Sequence, residues 1–83
     1  MLSEAVIQRV RQDFPKDYQR VADVLLNDCG RNLPFCDQPG YESLIERIRL
    51  SVLKISQGDL YKLRTGVEAA KQDGRDLLLA AGL

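Results

Sequence analysis

Residues 40–55, GYESLIERIRLSVLKI, decide the fold. Tyr41, Leu44, Ile45, Ile48, Val52 and Ile55 recur at helical spacing and share one face. Leu50 and Leu53 fall on roughly the opposite side. A helix that is apolar on two sides needs neighbours on both. This segment is therefore the central helix of a bundle or half of an interface between subunits.

Toward the N-terminus, Leu2, Val6, Val10 and Phe14 recur every fourth residue with Ile7 beside them. Ser3 is placed to cap that stripe and Glu4 to favour its first turn, which predicts a helix over 3–13. Pro15 pushes Phe14 out of helical geometry and suits the first position of a new helix. A second helix is expected over 15–29, with Tyr18, Val21, Ala22, Leu25 and Cys29 on its apolar face and Gly30 as its stop. Asn32, Pro34 and Pro39 punctuate a loop before the central helix.

Toward the C-terminus, Ser56 and Asp59 have the spacing of a capping box. They predict a helix over 57–71 whose stripe is Leu60, Leu63, Val67 and Ala70. A short fifth helix is expected over 74–81. Its Leu77, Leu78 and Leu79 point about 100° apart and cannot share one face. Such a helix must be wrapped by others or touch a partner. No run alternates apolar and polar residues in the manner of a strand. The expected architecture is all-α: one domain over 1–83, a compact bundle of four main helices and a short C-terminal one.

The totals agree with a single small domain. The chain has 83 residues, of which 45% are hydrophobic and 29% charged. A domain this short buries only about 60–65% of the surface its unfolded chain exposes, so its core is thin. Twelve basic residues balance twelve acidic ones. The balance holds in each half: five against six over 1–40, and seven against six over 41–83. A neutral chain sets up no long-range field to gather nucleic acid or anionic membrane. The beginning, MLSEAVIQRVRQDF, is charged early and lacks a long apolar run, so neither a signal peptide nor a membrane span is expected, and the cytoplasm is the expected location. The ending, RDLLLAAGL, resembles the closing segments of small bacterial proteins, a likeness that carries no catalytic or binding residue across.

The cysteines, Cys29 and Cys36, stand in NDCGRNLPFCDQPG. Cys29 continues the stripe of the second helix and reads as a small buried hydrophobe, whereas Cys36 belongs to the loop. A metal site takes three or four protein ligands, and the chain has no histidine, so no metal is expected. The C-x6-C spacing is not that of a C-x-x-C redox pair. Without histidine the usual general base near neutral pH is missing. Asp13, Asp17 and Asp23 read as helix-start and solvated charges. Neither catalysis nor a cofactor is expected.

Two binding readings remain. Leu50, Leu53, Leu78 and Leu79 exceed what a one-sided pattern needs, and exposed together they would mark a protein interface, with a partner or with a second copy of the chain. The alternative is a nucleic-acid-associated regulator. Arg47, Arg49, Lys54, Lys62 and Arg64 face only Asp59 over 47–64, a local surplus of four positive charges.

Overall fold

The computed structural model describes residues 2–30, 33, 39–72, 78, 81 and 82. Four helices follow one another: α1 (Glu4–Asp13), α2 (Tyr18–Asn27), α3 (Tyr41–Ser56) and α4 (Leu60–Gln72). No strand occurs among the described residues. The Cα radius of gyration is 11.4 Å. A folded chain of this length has about 12 Å, so the all-α domain is compact. The expected fifth helix lies largely outside the described residues.

The caps explain where each helix begins and ends. Ser3 Oγ accepts a hydrogen bond from the Val6 N–H at 3.3 Å and opens α1. Phe14 leaves helical geometry ahead of Pro15, and its N–H donates to Val10 O at 2.8 Å. Pro15 is not the start of α2, however. Phe14 is drawn into the core, and residues 15–17 make the bend that turns the chain, so Tyr18 is the first helical residue. Arg11 lies over the Tyr18 ring, 5.3 Å from its centroid, and holds the two sides of that bend together.

The junction between α3 and α4 also differs from the expected capping box. Gln57 and Gly58 both take positive φ, 50° and 79°, and end α3. Ser56 therefore belongs to α3, where its buried Oγ donates to Leu53 O at 2.8 Å. Asp59 alone caps α4: its Oδ1 accepts from the N–H groups of Tyr61 and Lys62 at 2.8 and 3.1 Å. The helix starts at Leu60 rather than near 57.

α3 is the central helix. It packs most extensively on α4 and then on α1, and α1 packs on α2. Gly66 allows the close crossing of α3 and α4. A Cβ at that position would sit 3.3 Å from Val52 Cγ1 and 3.4 Å from Ile55 Cδ1. Val6, Val10, Val21, Leu25, Ile48, Val52 and Leu63 fill the core at 1% exposure or less. Leu53 joins them, fully buried. The expectation that Leu53 serves an interface is corrected here: its side chain is enclosed within the bundle, whereas Leu50 on the same side of α3 is half-buried.

Candidate functional site

α2 and α4 each pack on another helix but not closely on one another. Between them lies a groove of about 450 Å³ lined by Arg20, Val24, Leu60, Tyr61, Leu63 and Arg64. A smaller hollow of about 150 Å³ shares Val24 and Arg64 and adds Asp28, Val67 and Glu68. The two hollows form one trough. On α2 its wall is Arg20, Val24 and Asp28; on α4 it is Leu60, Arg64 and Glu68. Each set is spaced i, i+4, i+8 and so forms one stripe along its helix. Arg20 faces the start of α4 and Asp28 its later turns, so the helices run in the same direction along the trough.

The floor is apolar. Leu63 and Val67 are buried, and Val24 and Leu60 half-buried. Tyr61 stands at the rim, 81% exposed. The guanidinium groups of Arg20 and Arg64 have no hydrogen-bond or ion-pair partner among the described residues. At the other end, Glu68 is bridged to Lys71 at 3.3 Å. Two guanidinium groups without a hydrogen bond or ion pair among the described residues thus border an aliphatic surface, with Arg64 sharing the smaller hollow with Asp28 and Glu68.

The basic residues of 47–64 are divided between two helices. Arg47 and Lys54 are exposed on α3, and Lys62 and Arg64 on α4. Lys62 and Arg64 are two residues apart, which places them about 200° apart around the helix. Arg49 of the expected patch is half-buried and its Nε is engaged in holding the end of α2. Its Nε donates to Leu25 O at 3.1 Å and to Cys29 O at 2.9 Å, satisfying carbonyls that the end of α2 leaves without helical partners. Gly30 makes room for it, since a Cβ there would lie 3.0 Å from an Arg49 terminal nitrogen.

The leucines divide similarly. Leu50 and Leu78 are half-buried and pack on the core, and Leu79 lies outside the described residues. Gly82 approaches Lys54: a Cβ built on it would be 3.8 Å from Lys54 Nζ.

Cys29 is a free, fully buried thiol just past the end of α2. Burial pushes its pKa up from 9.0 to about 11, while the Arg49 and Lys71 charges pull it back and Asp28 adds to the rise. Near neutral pH it is a protonated core side chain and not a nucleophile. Cys36 lies outside the described residues. Among the described residues no group of three or more Cys, Asp or Glu is arranged to hold a metal ion. No described helix is long and apolar enough to cross a membrane.

No protein-family model matches the sequence, and no curated protein or solved structure is significantly similar to it. The candidate site therefore rests on geometry. Arg20 lies outside the basic run at 47–64, with Asp17 and Asp23 on either side, so local charge density does not single it out. The i, i+4, i+8 series of Arg20, Val24 and Asp28 was a readable signal of a stripe bordering the core.

Proposed function

We propose that this chain is a small non-catalytic interaction module that docks a segment of a protein partner in the trough between α2 and α4. The observation that carries the reading is the pair Arg20 and Arg64, both without a hydrogen bond or ion pair among the described residues and both bordering an apolar floor. Charged side chains flanking an aliphatic trough provide two parts of a binding surface: burial for affinity and charge for choice of partner. The leucine surface expected from the sequence loses support, because Leu53 is in the core and Leu50 and Leu78 pack on it. The non-catalytic reading draws on the absence of histidine from the chain.

A second reading is favoured by Tyr61, whose exposed ring stands at the rim of the groove with Arg64 a turn away. An exposed aromatic ring beside cations is a platform on which a single-stranded base can stack. The aliphatic floor and the acidic end at Asp28 and Glu68 favour the protein partner over it.

The test is affinity capture from cell extract after nuclease treatment, with wild type beside Arg20→Glu/Arg64→Glu and Arg47→Glu/Lys54→Glu. A protein lost from the first variant and kept by the second supports the reading. A protein lost from the second variant and kept by the first contradicts it.

A further inference from the structure

The order of charge along the trough specifies what kind of segment fits. Arg20 and Arg64 mark its basic part, and Asp28 and Glu68 its far end. Arg20 and Asp28, the residue that caps the end of α2, are eight positions apart, about 12 Å at helical rise, or roughly two turns. The walls are two helices running the same way with an apolar strip between them. That is the shape a third amphipathic helix fills with side chains from successive turns.

We infer that the trough takes an acidic amphipathic helix from a partner protein: aliphatic side chains against Val24, Leu60 and Leu63, with carboxylates reaching Arg20 and Arg64. This rests on the reading of the trough as a protein-docking site and adds the chemistry of the partner. Charge complementarity is the argument. The two guanidinium groups are without partners among the described residues, and arginine matches a carboxylate with a pair of parallel hydrogen bonds. The internal arginine shows the contrast, since Arg49 is bonded to backbone carbonyls of α2. A lysine-flanked helix would meet like charge at the same place. An uncharged one would fill the floor and leave both guanidinium groups uncompensated.

The experiment uses fluorescence anisotropy with three labelled helical peptides sharing one leucine stripe, flanked by Glu, Gln or Lys, and a labelled single-stranded oligonucleotide. The Glu peptide is expected to bind about tenfold tighter than the Gln peptide, the size that two surface ion pairs supply. Arg20→Glu/Arg64→Glu, whose substitutions are on exposed side chains, is expected to reverse the order in favour of the Lys peptide. Equal binding of the three peptides, displaced by Tyr61→Asp, would overturn the acidic preference and leave the trough as a docking site. No peptide binding, or oligonucleotide binding that Arg64→Glu abolishes, would overturn both. A Glu preference unchanged in the double variant would place the contact elsewhere and overturn the inference.

Discussion

Arg49 Nε donates to Cys29 O at 2.9 Å, a bond from the middle of α3 to the residue that follows the last turn of α2. The same nitrogen reaches Leu25 O at 3.1 Å. α2 does not pack extensively on α3, so these bonds anchor the wall of the trough to the central helix.

Arg49→Met keeps the aliphatic length and removes both bonds. Hydrogen bonds from a charged donor are worth about 1.5–3 kcal/mol each, and two carbonyls sharing one N–H count as little more than one. We expect urea melts to show a loss of about 2–3 kcal/mol. Hydrogen exchange should rise at the end of α2 and stay low in α4. A loss below about 0.5 kcal/mol would mean that the bonds do not hold α2.

The α3–α4 crossing depends on Gly66. Gly66→Val places a β-branched side chain against Val52 and Ile55, where a single Cβ would already be at 3.3 and 3.4 Å. Overpacking of this kind costs about 1–3 kcal/mol. Adding Val52→Ala should recover part of that loss. A double-mutant cycle reads the coupling, and strictly additive losses would contradict the crossing.

Asp59 caps α4 through two N–H groups. Asp59→Ala is expected to cost about 1 kcal/mol and to fray the first turn, which carries Leu60 and Tyr61. Ser56→Ala acts through a buried hydroxyl bonded within α3, so it should leave hydrogen exchange in the first turn of α4 unchanged.

Cys29 gives a pH dependence with a definite sign. Burial disfavours the thiolate, so the folded chain holds the proton to higher pH than the unfolded one. The stabilisation is fully present below the unfolded value of 9.0 and is lost as pH rises toward about 11. The stability difference between wild type and Cys29→Ala, followed by urea melts from neutral to alkaline pH, should shrink through that window. A flat difference would contradict the burial effect.

The parts of the fold legible in the sequence are those set by local chemistry. The stripes Leu2–Val6–Val10–Phe14 and Leu60–Leu63–Val67–Ala70 are buried apart from the half-buried Leu60, and Ser3 caps α1. The double-faced helix is indeed central. Pro15 and Ser56 depart from their local signals because tertiary packing decides their roles: Phe14 is drawn into the core, and Gln57 with Gly58 end α3 before Asp59. The site was less legible. Periodicity assigns Arg49 and Arg64 to helix faces, but only the tertiary placement of Arg49 against the carbonyls at the end of α2 distinguishes it from an arginine left at a trough. The juxtaposition of Arg20 with Arg64 joins residues forty-four apart in sequence, which no local pattern encodes.

The most direct test of the trough as the binding site is a nitrogen–proton correlation spectrum of the labelled chain, titrated with the Glu-flanked helical peptide. The account predicts shifts concentrated at Arg20, Val24, Leu60, Tyr61 and Arg64. Shifts centred instead on Arg47, Leu50 and Lys54, with those of α2 unmoved, would contradict it.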